Sequence, residues 1–300
     1  MSKSARQTVT VRDLIDDISG HFEPADIYYG HGTDNAWDEA VYLVLAALNL
    51  PFDLSDDDLD QTIEMEAVDH IWQLASRRVD ERIPVAYLVK QAWFCGLPFY
   101  VNEHVLIPRS PEAELIEENF HPWINEKQVK HILDIGTGCG CIAIACAAAF
   151  PDATVDAIDI CPDALAVAQK NVDTYSLGDR VHLYKSDLYD ALAGKKYDLI
   201  IANPPYVDAD DMQALPAEYR HEPRLALAAG DDGLDLARRI IRDSGQYMNN
   251  DAVLIVEVGN SQQAMEAAFP ELPLVWLEFE RGGEGVFLIT AEDLKAVASR

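Results

Sequence analysis

Between His131 and Glu257 strand-like and helix-like runs alternate, and this order constrains the fold more than any other feature of the chain. Residues 132–135, 154–158, 181–184, 199–202 and 253–257 are short apolar runs of strand character. Residues 141–150, 162–174 and 234–247, lying between them, are long enough for helices. Strands separated by helices pair in parallel, with helices covering both faces of the sheet. The tail departs from the pattern. Residues 274–280 and 286–289 flank an Arg281-Gly282-Gly283 turn with no helix between them, which predicts an antiparallel hairpin. The expected fold is α/β, a doubly wound Rossmann-like sheet ending in an antiparallel hairpin.

The chain before this region reads differently. Helical patterns begin at Val11 and at Asp34, the second stopping at Pro51. Ser55 then offers an N-cap with Asp56, Asp57 and Asp58 in the first turn, and predicts one helix running towards Arg78. Residues 87–107 are aromatic and β-branched around Gly96-Leu97-Pro98, a hairpin pattern, and a helix resumes at 112–119. The expected domains are therefore a helical unit at 1–85, a linking hairpin at 86–110 and an α/β domain at 111–300.

Charge narrows the function classes. Asp and Glu number 52 against 23 Lys and Arg, a formal net charge of -29 over 300 residues. Nucleic-acid binding draws most of its affinity from cations set against phosphates. Tight direct binding to DNA or RNA is not expected, whereas a basic protein partner suits the field. An acidic surface also serves solubility or life in high salt. The five cysteines, Cys95, Cys139, Cys141, Cys146 and Cys161, follow no zinc spacing and read as reduced thiols, so no metal is expected. The polar N-terminus lacks a leader pattern and no apolar run is long enough to span a membrane, so a soluble cytoplasmic protein is expected.

Two constellations carry chemistry. In Leu133-Asp134-Ile135-Gly136-Thr137-Gly138-Cys139-Gly140, glycines at a strand-to-helix turn let backbone approach a ligand at the free N–H groups of a helix start. The position where a dinucleotide fingerprint needs its third Gly is Cys141, so the tighter spacing suits the amino-acid end of a ligand. Asp159 ends the next strand, where a carboxylate reaches a ribose diol; it could equally cap the helix at Pro162. Asp187 follows the third strand, placed to accept an adenine amino group with Leu188 against the ring, or to act as an ordinary turn residue.

The second constellation is Asn203-Pro204-Pro205-Tyr206 after the fourth strand. Paired prolines fix an extended turn and leave carbonyls without local donors. A planar NH₂ group has two donors; the Asn203 side-chain oxygen and the Pro204 carbonyl can take both while Tyr206 stacks on the flat group. That geometry would hold a nitrogen in line with a methyl sulfonium.

At these residues the chain resembles the S-adenosylmethionine-dependent amino-methyltransferases. Phe94-Cys95-Gly96-Leu97-Pro98-Phe99-Tyr100, Val105-Leu106-Ile107-Pro108-Arg109 and Glu222-Pro223-Arg224-Leu225-Ala226-Leu227 are similar to its protein-glutamine methylating family, over nearly the whole chain. Release-factor enzymes of that family typically read Pro-Arg-Pro-Asp-Thr-Glu after the hairpin. Pro108-Arg109-Ser110-Pro111, with Tyr29-Gly30-His31-Gly32-Thr33-Asp34, is instead similar to the branch acting on large-subunit ribosomal protein number three. The resemblance implies S-adenosylmethionine held by Asp134, Gly136, Thr137, Gly138, Cys139, Gly140, Asp159, Ile160, Asp187, Leu188 and Asn203. It implies a glutamine amide held by Asn203, Pro204, Pro205, Tyr206 and Arg109, with Asn203, Pro204 and Tyr206 catalytic. The implied partner is the ribosomal protein, free or in an early assembly particle. The alternatives are the same chemistry on release factors, or amino-methylation of a nucleic acid.

Overall fold

The computed structural model describes residues 8–298; the polar stretch 1–7 lies outside them. The chain forms two compact units, one of Met1–Ala92 with Pro216–His221 and one of Trp93–Leu215 with Glu222–Arg300.

The first unit is built on α1 (Val11–Phe22), α2 (Ala36–Leu48) and α3 (Met65–Asp80). Apolar residues at helical spacing, among them Leu14, Ile18, Leu43 and Ile71, are buried where these helices meet. The single helix expected from Ser55 is broken. Ser55 does cap a helix, but it covers only Asp56–Leu59, and Thr62–Ile63 then pairs antiparallel with Val9–Thr10 before α3 begins. A tertiary strand pair has overridden local helical pattern, helped by two β-branched residues at the break.

Six residues from far along the chain, Pro216–His221, complete this unit. Arg78, 1% exposed, donates to Glu39 (2.5 Å) and to Glu218 (3.1 Å). Glu218 also accepts from the Tyr28 amide at 2.9 Å, and Tyr219 packs against His31 with ring centroids 4.6 Å apart. His221 Nε2 sits 2.8 Å from the Glu81 carbonyl oxygen.

The second unit carries a seven-stranded sheet: β1 (His131–Ile135), β2 (Thr154–Asp159), β3 (Val181–Lys185), β4 (Tyr197–Ala202), β5 (Met248–Glu257), β6 (Val275–Trp276) and β7 (Val286–Thr290). Their order is β6-β7-β5-β4-β1-β2-β3, with only β7 running antiparallel to its neighbours β5 and β6. The central strands are apolar throughout because helices cover both faces; Ile132, Leu133, Leu199, Ile200 and Ile201 are fully buried. Helices α4 (Cys141–Ala149), α5 (Pro162–Thr174) and α6 (Asp235–Ser244) supply that cover. In α4 the small residues Ala and Cys allow close approach, and a Cβ on Gly140 would stand 3.3 Å from the Ala168 methyl of α5.

Two expected strands shrink. The hairpin is Gln91–Phe94 with Leu97–Tyr100, turning at Cys95 and Gly96, both with positive φ as a tight primed turn requires. Residues 87–89 are helical instead, because the carbonyl of Pro84 takes the amides of Tyr87 and Leu88. In the tail, the amides of Glu280 and Arg281 donate to the Glu114 carboxylate (2.9 and 2.8 Å), which ends strand pairing after Trp276.

Arg78→Met would leave buried Glu39 without its cation and Glu218 with only the longer contact to Arg82 (3.5 Å). Loss of one partner of a buried ion pair costs about 3–5 kcal/mol, so urea unfolding of this variant should show a drop of that size. A drop below about 1 kcal/mol would mean that the carboxylates find other partners.

Candidate active site

The strand order reverses between β1 and β4, and open α/β sheets bind ligands at such a point, beyond the carboxyl ends of the strands. Ile135 and Ala202 are register partners, so Gly136 and Asn203 leave the sheet side by side. A Cβ on Gly136 would stand 3.9 Å from the Asn203 carbonyl oxygen. The two constellations read from sequence thus face one another.

Each turn has a local cause. Gly136, Gly138 and Gly140 all adopt positive φ (76°, 55° and 83°), where a side chain would be strained. The amides of Gly136 and Thr137 both donate to the Ile158 carbonyl at 2.9 Å, drawing the loop across the end of β2. Beneath it, Asp134 accepts from the Thr137 hydroxyl (2.6 Å) and the Ala143 amide (3.2 Å) through one oxygen. Its other oxygen is buried with no partner. Burial raises the Asp134 carboxyl to about 7, with the charge of Asp159 adding to the effect.

The cavity at this switch point measures about 380 Å³, the size of a small-molecule site. Gly136, Gly138, Asp159, Ile160, Asp187, Leu188, Asn203, Pro204 and Pro205 line it. Asp134, Thr137, Cys139 and Gly140 stand behind the loop as its support, and Tyr206 follows the wall. Asp159 accepts from the Gly138 amide (3.0 Å) and the Cys161 amide (2.8 Å), which ties the glycine loop to the start of α5 without capping that helix. Burial pushes its carboxyl up. Asp187 is paired with Arg239 at 2.9 Å.

Arg109 stands apart from the expectation that it meets substrate. Both of its terminal nitrogens are taken by Glu222 (2.7 and 2.8 Å), and Glu222 also accepts the Ile107 amide. The pair clamps the segment after the hairpin to the segment after the motif.

Sequence reasoning missed several neighbours. Val105, Leu106, Pro223, Leu225, Ala226, Leu236 and Arg239 also line the cavity. Glu257, at the end of β5, accepts from the Tyr206 hydroxyl. Its signal was available: an acidic residue closing a buried apolar strand, at the sheet edge where ligands bind.

The residues present fit S-adenosylmethionine. The orphaned Asp134 oxygen lies under a glycine cradle of close-approach geometry, and Asp159 keeps acceptor capacity beyond its two backbone donors. A family model described as methyltransferase small domain matches residues 118–218. The chain is 48% identical to the ribosomal protein uL3 glutamine methyltransferase of Francisella tularensis over 286 residues, covering 95% of this chain and 91% of that protein. With the protein of the same name from Burkholderia pseudomallei it shares 47% identity over 306 residues, covering 99% and 100%. Among solved structures, the hMettl16 catalytic domain in complex with MAT2A 3′UTR hairpin 6 is similar in fold, with a TM-score of 0.51 at 18% identity over 79% of this chain and 85% of that one. Fold and site together define a class I S-adenosylmethionine-dependent methyltransferase. The chain belongs to the ribosomal protein uL3 glutamine methyltransferase family, and its chemistry is protein-glutamine methylation. Among the described residues no helix is long and apolar enough to cross a membrane.

Glu112 lies behind this site, fully buried, with neither carboxyl oxygen paired. Burial first, then the charges of Glu257 and Asp134, pushes its carboxyl well above the usual range. The fold therefore holds a proton that the unfolded chain releases above about pH 4.3, so Glu112 favours folding at low pH and loses that contribution as pH rises. Glu112→Gln carries no such proton. Its stability advantage over the parent should widen by up to about 1.4 kcal/mol per pH unit above pH 4.3 until Glu112 ionises in the fold. Paired unfolding curves at pH 5 and pH 7 test this; a constant gap would contradict it.

Proposed function

We propose that this enzyme transfers the methyl group of S-adenosylmethionine to the side-chain amide nitrogen of a glutamine in ribosomal protein uL3. The observation that carries the reading is the Asn203-Pro204-Pro205 turn lining one cavity beside Gly136 and Gly138 of the glycine loop. The relatives' shared name gives the substrate. We further propose that uL3 is met as the free basic protein or in an early assembly particle, because the phosphates of mature ribosomal RNA repel a chain with net charge -29.

The glycine loop and Asp159 hold the cofactor's amino-acid end and ribose, and Asp187 with Leu188 receives the adenine. Bound there, the cofactor supplies an electrophilic methyl on a sulfonium. The Asn203 side-chain oxygen and the Pro204 carbonyl accept the two amide hydrogens of the glutamine, and the Tyr206 ring packs on its plane. These acceptors are fixed before substrate arrives, so they favour positive charge developing on nitrogen without reorganisation. The methyl group the cofactor would supply would pass from sulfur to this nitrogen, and the cofactor would leave as a neutral thioether. The nitrogen then sheds one proton to water, so the step needs no side chain as base.

Transfer of labelled methyl to purified uL3, to a release factor and to intact large subunits tests substrate and timing together. Label is expected in free uL3, at a glutamine. Label entering only the release factor overturns the substrate, and preference for intact subunits overturns the timing. Asn203→Ala should lower kcat by at least about 100-fold, as removal of one fixed transition-state acceptor does, with cofactor affinity changed less than tenfold. Undiminished turnover would contradict the mechanism.

A further inference from the structure

We infer that Glu257 and Ser110 are positioning residues for the reaction, forming a buried relay that fixes the Tyr206 ring. The Tyr206 hydroxyl donates to Glu257 Oε1 at 3.0 Å, and the Ser110 hydroxyl donates to Glu257 Oε2 at 2.6 Å. Glu257 is 4% exposed and Ser110 8%, so water does not substitute for either partner. Ser110 is held in turn: its oxygen accepts the Glu112 amide at 3.1 Å. The rest of Tyr206 is equally confined. A Cβ on Gly259 would lie 2.5 Å from the tyrosine ring, so only glycine lets the ring rest on that backbone. The Tyr206 carbonyl accepts from the Ser261 hydroxyl at 3.0 Å.

The chemical consequence is orientational. A ring held at its hydroxyl, one edge and its carbonyl has one plane, and a planar amide packed on it inherits that plane. Removal of the Ser110 hydroxyl would leave Glu257 Oε2 without this donor. The inference rests on the proposed role of Tyr206.

The test is a double-mutant cycle read in kcat and in the KM for S-adenosylmethionine. Ser110→Ala and Glu257→Gln should each lower kcat roughly tenfold, the order expected when a reacting group is slightly misplaced, with KM for the cofactor within twofold. Ser110→Thr, which keeps the hydroxyl, should restore most of the loss. In a Tyr206→Phe background, where the anchored hydroxyl is gone, neither substitution should lower kcat further. Losses that add in that background, or full kcat in Tyr206→Phe alone, overturn the relay. A 3-fluorotyrosine label at position 206 reads the same contact with no substrate present. Its ¹⁹F resonance should shift in Ser110→Ala and Glu257→Gln; an unchanged resonance in both overturns the relay. Failure of the unaltered enzyme to methylate uL3 would instead contradict the substrate reading, leaving the fluorine result to decide the relay.

Discussion

The pairing of β1 with β4 sets the distance on which catalysis depends. Ile132, Leu133 and Ile135 of β1 are buried against Leu199, Ile200 and Ala202 of β4, with helices above and below. Both faces of these strands are buried, so their register is held by the fit of the side chains against the helices on each side and not by an apolar-polar alternation. Because Ile135 pairs with Ala202, the next residue on each strand begins one wall of the cavity. The separation of cofactor loop and acceptor turn is therefore a property of the sheet core and not of either loop. Prolines at 204 and 205 then stop the second turn from relaxing, and positive φ at three glycines lets the first one approach.

This arrangement places carboxyl groups where water does not reach. Asp134, Glu112 and Glu257 are 0%, 0% and 4% exposed, and burial pushes each carboxyl upward. Two of them hold neighbours in place: Asp134 braces the glycine loop through Thr137 and Ala143, and Glu257 holds Tyr206. Glu112 has no bonded partner for its carboxyl, and a neutral residue would serve packing better. A protonated Glu112 also spares Glu257 and Asp134 a third negative charge, which is the state in which the three can coexist.

What the sequence made legible were backbone motifs. Gly136 to Gly140 and Asn203 to Tyr206 are continuous stretches whose residue types dictate their own conformation, and Gly136, Gly138, Asn203, Pro204 and Pro205 of them line the cavity. Asp159 and Asp187 were legible because a strand-end acid in a parallel sheet has few other places to point. The failures share a different cause. The break after Leu59 comes from pairing with Val9–Thr10, and the shortened strand at Trp276 comes from backbone amides captured by Glu114. Arg109, Glu222 and Glu257 each act through a partner far away in sequence, and no local pattern encodes such a partner. Pro216–His221 shows this most clearly, being α/β by position in the chain and part of the helical unit by its contacts.

The acceptor turn alone does not select an amide over a nucleobase, since both present a flat NH₂ group. Selection has to come from what surrounds the turn. Along the cavity the added lining is Val105, Leu106, Pro223, Leu225 and Ala226, which is apolar and offers nothing to a phosphate. Arg239, the lining residue with a fixed positive charge, is already paired with Asp187, and Arg109 is held in both arms by Glu222. A polypeptide needs only apolar wall for its flanking side chains and two carbonyl-type acceptors for its amide. The apolar lining of the mouth therefore suits the protein substrate that the family defines.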